Sequence, residues 1–417
     1  MRLLFFAMSS AGYGETLIGM SLARQLRPAG IECHFVIEPM SEKLLRGSGF
    51  PYTVLDRSMG GFAALIVDDV VSSFRPEAIV LSDYFTFCGI FPKRYGLDPW
   101  FIDRYNLPII PIDIWEWANT AFSVDVFHGK AMPVNRRILD MPAHLRPVPV
   151  CHLDQGPQTF PFRLWEGNER VSRRTRAHLR ETFGIEREDR MVLLAVAGWQ
   201  QDKYADDNGD RMAEQVPELL VHYLRQLPPS ARFILVGSVP PVLEALTDRA
   251  HVIPACSPNR FNVLLGSVDL VLTLNLGATT LARAVLSDIP GVVLTNRFDV
   301  PEKPDIDQVE AELGGLSEDV RSWLSRTLPM YPFRMWPLGF HSFLDPVVAG
   351  NPYLSTFAHA ELLDEPAVLS ALHGVLYDRG VQDDLARNRA AYLETLTAHP
   401  ATPEVFASAA RRVGLVL

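Results

Sequence analysis

The stretch Asn275-Leu276-Gly277-Ala278-Thr279-Thr280 lies between an apolar run over residues 268–274 and a helical pattern that begins at Leu281. A strand that ends in a turn of small residues and opens a helix directs several backbone N–H groups, and the positive end of the helix dipole, to one place. The small side chains of Gly277 and Ala278 let an anion approach the main chain, and the two threonine hydroxyls add donors. The stretch therefore predicts a phosphate site, with an ordinary turn capped by threonine as the alternative.

Apolar strands and amphipathic helices alternate on both sides of this stretch. Strands are expected over 191–197, 233–236, 251–253, 268–274 and 291–294, and an earlier series over 3–8, 31–37, 52–55, 78–81 and 109–112. Such alternation is typical of doubly wound parallel sheets, which bind ligands at the carboxyl ends of their strands. We therefore predict an α/β protein with two Rossmann-like domains facing each other across a cleft.

The chain length agrees with this division, because 417 residues exceed one ordinary core. Prolines between residues 118 and 170 break any long helix there, which predicts the end of the first domain and a linker. The expected domains are 1–170 and 171–385. The helices over 386–417 are expected to pack back on the first domain, and the proline-rich region 331–353 has no assigned structure.

Composition excludes several classes of protein. Apolar residues make up 48% and charged residues 21%, which describes a globular chain. A net charge of −10 without a basic block argues against nucleic acid or anionic membrane as a partner. The four cysteines stand far apart, so neither a disulfide framework nor a metal site is expected. With no signal-peptide pattern and no apolar run of about 18 residues, a cytoplasmic protein without stable membrane insertion is predicted, its oligomeric state open.

Two parts of the sequence resemble the glycosyltransferases of the GT-B fold, which include natural-product sugar transferases and the cell-wall N-acetylglucosaminyltransferase. The first is Gly12-Tyr13-Gly14-Glu15-Thr16 with the helix over 22–26 and Gly30. The second comprises 233–237, 268–273, 277–280 and 289–293. The resemblance implies an N-terminal acceptor domain and a C-terminal domain for a nucleoside diphosphate sugar.

The resemblance also implies residues for the sugar donor. The helix after Asn275 would hold the diphosphate and neutralise the leaving group without a metal or other cofactor, a UDP-sugar being the co-substrate. Arg260, Arg283 and Arg297 are candidate cations, although each is equally compatible with a solvated surface position. The predicted donor site comprises Gly198, Trp199, Cys256, Ser257, Asn275, Gly277, Ala278, Thr279, Thr280, Arg297, Asp307 and Gln308.

The first loop departs from the family pattern at the general base. The family offers a histidine where this chain has Glu15. A carboxylate can deprotonate a sugar hydroxyl if burial raises its pKa, whereas a helix N-terminus would lower that pKa. Asp83, at the end of a predicted strand in the same half, is the alternative base or a partner that orients the acceptor; it is also compatible with a helix cap.

Donor recognition departs from the pattern as well. Arg283 replaces the glutamate that holds the ribose hydroxyls in the family, and an arginine cannot accept those hydrogen bonds. Asp307-Gln308 resembles the pair that reads the sugar hydroxyls, but it lies farther from its strand than expected and is also compatible with a helix start.

Aromatic residues in the loops of the first half are candidates for acceptor binding. The set is Gly14, Trp115, Trp117 and His128, with the rings stacking on a planar acceptor or, alternatively, filling a core. His128 is also a candidate base. The predicted function is an inverting, metal-independent transfer of a hexose, glucose above all, to a hydroxyl of a small soluble acceptor such as a nucleoside or other secondary metabolite. A catalytically silent binding protein of the same fold and a nucleotide-sugar epimerase are the alternatives.

Overall fold

The computed structural model describes residues 1–9, 12–127, 130–165, 170–200, 207–246 and 248–416. The chain forms two compact units. The N-terminal unit comprises Met1–Ser123, Pro133–Glu166 and Thr395–Leu417, and the C-terminal unit comprises Val124–Met132 and Gly167–Glu394. Segment 124–132 therefore belongs with the C-terminal unit, although the sequence analysis assigns it to the first domain.

The strands are β1 (Arg2–Ala7), β2 (Glu32–Ile37), β3 (Tyr52–Val54), β4 (Ala78–Leu81), β5 (Ile109–Pro111), β6 (Ser123–Phe127), β7 (Lys130–Pro133), β8 (His144–Val148), β9 (Thr159–Arg163), β10 (Arg190–Val196), β11 (Ala231–Gly237), β12 (Ala250–Ile253), β13 (Leu270–Thr273), β14 (Gly291–Thr295) and β15 (Ala358–Glu361). The α-helices are α1 (Gly14–Leu26), α2 (Glu42–Leu45), α3 (Ala63–Phe74), α4 (Tyr84–Ile90), α5 (Arg173–Thr182), α6 (Asp207–Gln226), α7 (Pro258–Leu265), α8 (Thr279–Leu286), α9 (Asp305–Leu313), α10 (Glu318–Thr327), α11 (Asp345–Val348), α12 (Glu365–Tyr377), α13 (Arg379–Ala398) and α14 (Thr402–Arg412).

The N-terminal unit is built on a five-stranded parallel sheet in the order β3-β2-β1-β4-β5. Residues 3–7 of the central strand β1 are all fully buried, as expected for a strand covered on both faces. β8 and β9 form a parallel pair beside β5, joined to it by the bridge between Ile112 and Leu145. α14 packs on β9 and α1. The region predicted as a linker thus carries strands, because its prolines lie at strand ends and in the short pair β8-β9.

The C-terminal unit is built on a six-stranded parallel sheet in the order β12-β11-β10-β13-β14-β15. One face packs on α6, α12 and the segment around Met330, and the other packs on α7 and α8. All five strands predicted for this half are present, and β15 is a sixth strand that the sequence analysis does not identify. Among the described residues, no helix combines the length and apolarity needed to cross a membrane.

The end of β11 provides a test of the close packing in this sheet. Gly237 has φ +100°, and a Cβ atom there would lie 2.2 Å from the carbonyl oxygen of Val196 on β10. We expect Gly237→Ala to lower the free energy of unfolding by at least about 2 kcal/mol, because backbone strain and overpacking add. Denaturant unfolding measures this. Gly61→Ala, at an open position, is the control and should stay within about 0.5 kcal/mol of the parent; equal effects of the two changes would contradict the packing argument.

Candidate active site

Two carboxylates come together at the carboxyl edge of the N-terminal sheet. Glu15 is the second residue of α1, which follows β1, and Asp83 lies two residues after the end of β4. Because β1 and β4 are neighbouring parallel strands, their carboxyl ends lie side by side. The charge of Glu15 contributes, after burial, to raising the pKa of Asp83, which places the two groups within electrostatic reach. The structure thus brings together the two residues predicted as candidate bases.

Asp83 is engaged as the N-cap of α4. Its carboxylate accepts hydrogen bonds from the backbone N–H groups of Phe85 (3.1 Å) and Thr86 (3.0 Å) and from the Thr86 hydroxyl. The side chain is 4% exposed, and burial raises its pKa to about 7 against the opposing effect of these donors. Asp83 therefore caps α4, as the alternative prediction for this residue states.

Within the described part of the chain, the Glu15 carboxylate keeps an oxygen without a hydrogen-bond partner, unlike the Asp83 carboxylate. Its Oε2 atom is buried and has no hydrogen-bond partner among the described residues. Burial raises the pKa of Glu15, and hydrogen bonds from its own backbone N–H and from Ser9 oppose the rise. Burial and the helix N-terminus are expected to shift the pKa of Glu15 in opposite directions. In the structure the pKa is raised, so burial has the larger effect. The result is a buried carboxylate with a spare acceptor oxygen, which is what a general base requires.

The raised pKa of Asp83 predicts a pH dependence of stability. Its pKa is about 7 in the folded protein and ordinarily 3.8, so the folded state binds more protons between these values. The free energy of unfolding therefore falls as pH rises from about 4 to about 7, by up to about 4 kcal/mol from this group. We expect Asp83→Asn, which keeps a capping side chain, to remove this loss.

Urea unfolding of parent and Asp83→Asn at pH 5, 6, 7 and 8 measures the difference. Asp56→Asn is a matched control, since Asp56 also caps a helical turn but is only half-buried and has a lowered pKa. Its effect should not change across this range. A parent-to-variant difference at Asp83 that is constant with pH would contradict the prediction.

A buried charge network lies in the loop after β5. Asp113 (0% exposed) and Glu116 (1%) both pair with Arg146 on β8, at 3.4 and 3.3 Å. Glu116 has φ +52° and also accepts hydrogen bonds from the backbone N–H of His152 (2.7 Å) and from its Nδ1 (2.9 Å). This network is not predicted from the sequence, although Asp113 follows an apolar strand just as Asp83 does.

The tryptophans of the same loop lie inside it. Trp117 is fully buried between Phe85 and Phe122, with ring centroids 5.9 and 5.5 Å away, and Trp115 is 7% exposed. Burial leaves Trp117 without exposed surface for stacking on an acceptor and favours the core-filling alternative. Gly14 begins α1 beside Glu15. His128 lies outside the described residues.

The carboxyl edge of the C-terminal sheet carries the stretch 275–280. Asn275 Oδ1 accepts a hydrogen bond from Gly277 N (2.9 Å), and the Thr273 hydroxyl accepts one from Asn275 N (3.0 Å), so the turn is held by its own side chains. α8 begins at Thr279 with Ala278 as N-cap and no side-chain hydrogen bond to its first turn. The predicted threonine cap is therefore wrong, and no side chain of the described residues caps the first amides of α8.

Other predicted donor residues also follow strands of this sheet. Gly198 and Trp199 begin a turn of 3-10 helix after β10, and Ser257 caps α7 with Cys256 before it. Arg283 is 6% exposed and donates to Asn262 on α7. Its side chain is thus directed to the neighbouring helix.

The remaining predicted donor residues have partners on the surface. Arg297 pairs with Glu312 at 3.2 Å and is half-exposed. Asp307 and Gln308 lie in the first turns of α9, where Asp307 pairs with Arg321 (2.7 Å) and Gln308 donates to Glu312 (3.1 Å). These contacts favour the alternative in which Asp307 and Gln308 belong to the start of a helix.

Residues 330–343, which we call the strap, run across the ends of β13 and β14. Antiparallel bridges join Met335 to Asn275, Phe333 to Asn296 and Met330 to Val300. Trp336 N donates to Leu274 O (3.0 Å), and Leu276 N donates to Arg334 O (2.8 Å). The strap therefore forms part of the surroundings of the stretch 275–280, and the sequence analysis leaves it unassigned. Within the described parts of the chain, no group of three or more His, Cys, Asp or Glu side chains is placed to hold a metal ion.

Solved glycosyltransferases share this architecture. The spinosyn rhamnosyltransferase SpnG is 14% identical, with a TM-score of 0.54 and 98% of this chain and 99% of SpnG covered. HepE from Anabaena, in complex with UDP and glucose, is 13% identical with a TM-score of 0.56 and full coverage of both chains (100%). The glycotransferase of kitacinnamycin is 13% identical, with a TM-score of 0.51 and coverage of 99% and 98%. The predicted GT-B fold is confirmed.

In sequence, the chain belongs to the family of unknown function DUF6365, whose model matches residues 22–414. No curated protein sequence matches the chain significantly.

Proposed function

We propose that this protein is an inverting glycosyltransferase that moves a hexose, glucose above all, from a nucleoside diphosphate donor to a hydroxyl of a small acceptor, without a metal ion. The observation that carries the proposal is the start of α8, which follows β13 after the loop 274–278 and whose N-cap Ala278 offers no side-chain hydrogen bond, in a fold shared with sugar transferases. Amides at a helix N-terminus are a general solution for binding phosphate.

The ligands of similar structures support this choice of substrates. SpnG has been solved with thymidine diphosphate and with spinosyn aglycone, and HepE with UDP-glucose. By analogy, we assign the diphosphate of the donor to residues 277–280. We assign the nucleobase of the donor to the loop after β12, around Cys256. An acceptor of natural-product type is assigned to the carboxyl edge of the N-terminal sheet.

In the proposed reaction, the acceptor oxygen attacks the anomeric carbon as the bond from that carbon to the diphosphate oxygen breaks. The nucleoside diphosphate leaves with the bonding electron pair, and its growing charge is stabilised by the first amides of α8. Glu15 takes the proton of the acceptor hydroxyl. We assign this role to Glu15 rather than Asp83 because Asp83 already accepts three hydrogen bonds at the start of α4.

Calorimetry with UDP, TDP and GDP, followed by turnover of UDP-glucose with a panel of nucleoside and aglycone acceptors, tests the proposal. Binding of at least one diphosphate and acceptor-dependent release of it are expected. Donor consumption without any acceptor would favour an epimerase or hydrolase of the same fold. Absence of binding to every diphosphate would favour a catalytically silent protein and contradict the proposal.

A further inference from the structure

The strap places an arginine beside the stretch 275–280 that is distant from it in sequence. The carbonyl of Arg334 accepts the hydrogen bond from Leu276 N at 2.8 Å, and the adjoining residue Met335 is the bridge partner of Asn275. The backbone of Arg334 therefore lies beside the loop that precedes α8. An arginine side chain attached at this point is long enough to reach an anion bound by that loop.

The guanidinium of Arg334 has unused donors. The side chain is 17% exposed. Its Nη1 atom donates to His341 O (2.7 Å) and lies 2.7 Å from Asp345 Oδ1. Its Nε and Nη2 groups have no hydrogen-bond partner among the described residues. Because Asp345 is 59% exposed, solvent weakens that ion pair. A half-buried guanidinium with a free edge is suited to bind phosphate with two parallel hydrogen bonds.

The strap itself is held firmly. Asp125 on β6 accepts hydrogen bonds from three successive backbone amides of the strap, those of His341 (2.8 Å), Ser342 (3.1 Å) and Phe343 (3.1 Å). Two further backbone bonds join strap amides to β6: Gly339 N donates to Val126 O and Phe340 N to Asp125 O. Together with the bridges to β13 and β14, these bonds fix the backbone on both sides of Arg334. The arginine is therefore pre-organised, which lowers the entropic cost of binding an anion.

Two of the three cations considered from the sequence, Arg283 and Arg297, are less well placed for this role. Arg283 donates to Asn262, and Arg297 pairs with Glu312 while lying over the ring of Phe298. Neither has its backbone hydrogen-bonded to residues 274–276. Arg334 is the better candidate because its backbone is hydrogen-bonded to this loop and its guanidinium keeps donors that its two contacts do not use.

We propose that Arg334 binds the diphosphate of the sugar donor and that the strap forms one wall of the donor site. This inference rests on the proposed function and deepens it, because it assigns the cation that offsets the charge of the leaving group. One edge of the guanidinium stays on His341 O and Asp345, and the other contacts phosphate oxygens next to the first amides of α8.

Calorimetric titration of the full chain with UDP, TDP and uridine tests the inference. We expect Arg334→Gln to weaken binding of whichever diphosphate the parent binds by about 10- to 100-fold, the size of a lost charge-assisted contact. Affinity for the nucleoside should be unchanged, because it lacks phosphate. Arg326→Gln, an exposed change on α10 of the same unit, is the matched control and should behave as the parent.

A second variant separates a donor contact from a structural role. Asp345→Asn removes the partner of Arg334 but keeps the guanidinium, so diphosphate affinity should stay equal or increase. Unchanged diphosphate affinity in Arg334→Gln, or equal weakening in Arg334→Gln and Asp345→Asn, would overturn the inference while the proposed function stands. If the parent binds no nucleoside diphosphate, the proposed function fails first and the inference with it.

Discussion

The Glu15→Gln variant is expected to lose about 10²- to 10⁴-fold in kcat, the usual contribution of a general base. Glutamine has nearly the same shape as glutamate but cannot accept the proton of the acceptor hydroxyl. The KM for the nucleotide sugar should change little, since Glu15 belongs to the N-terminal sheet and the donor is assigned to the C-terminal one. Steady-state kinetics on the donor–acceptor pair found by screening measures both constants.

The pH dependence of turnover adds a second readout. A base works in its ionised form, so kcat should rise with pH through the pKa of Glu15, which burial places above its ordinary value of 4.5. Asp83→Asn is the comparison, because this variant keeps the cap of α4 and should retain more activity than Glu15→Gln. Full activity in Glu15→Gln would refute the assignment of the base, and full activity in both variants would refute a role for this carboxylate pair.

The largest effect on stability is expected at Arg146. Replacing it with methionine leaves Asp113 and Glu116 buried without their cation, and breaking a buried ion pair from one side costs about 3–5 kcal/mol. Burial raises the pKa of Asp113, and the charge of Arg146 opposes this rise. Without Arg146 that pKa should rise further, so the loss of stability in Arg146→Met should grow as pH rises and shrink at low pH, where Asp113 is protonated.

Urea unfolding at pH 5 and pH 8 measures the effect of Arg146→Met. Arg46→Met removes an exposed pair with Glu42 one turn away on the surface, and at either pH its effect on stability should be far smaller than that of Arg146→Met. A loss of stability at Arg146 as small as that at Arg46 would show that the network is not a stabilising ion cluster.

The sheets and the loop 275–280 between β13 and α8 could be predicted from the sequence because each gives a local signal. A parallel strand covered on both faces is a continuous apolar run, as in residues 3–7, and a helix that follows it shows its own periodicity. The loop 275–280 combines such a strand, small residues and a helix start within a few positions. The positions of Asp83, just after a strand, and of Glu15, at the start of the helix after β1, follow from the same pattern.

The strap, β15 and the buried network could not be predicted because their signals are not local. β15 has the sequence Ala-His-Ala-Glu, which lacks an apolar run, and it forms by pairing with β14 over sixty residues earlier. The strap pairs through isolated bridges, which impose no periodicity. Arg146 stands between prolines in a strand of five residues and becomes a buried cation only through contacts with the loop after β5.

The segment 124–132 has a consequence for how the protein can be divided. The chain passes from one compact unit to the other four times, after residues 123, 132, 166 and 394. A fragment that begins at residue 171 would contain the whole six-stranded sheet but would lack Asp125, and three amides of the strap would lose their acceptor. Exchanging C-terminal units between proteins of this family at a single junction would separate the strap from Asp125, so a chimera has to carry segment 124–132 together with the C-terminal unit.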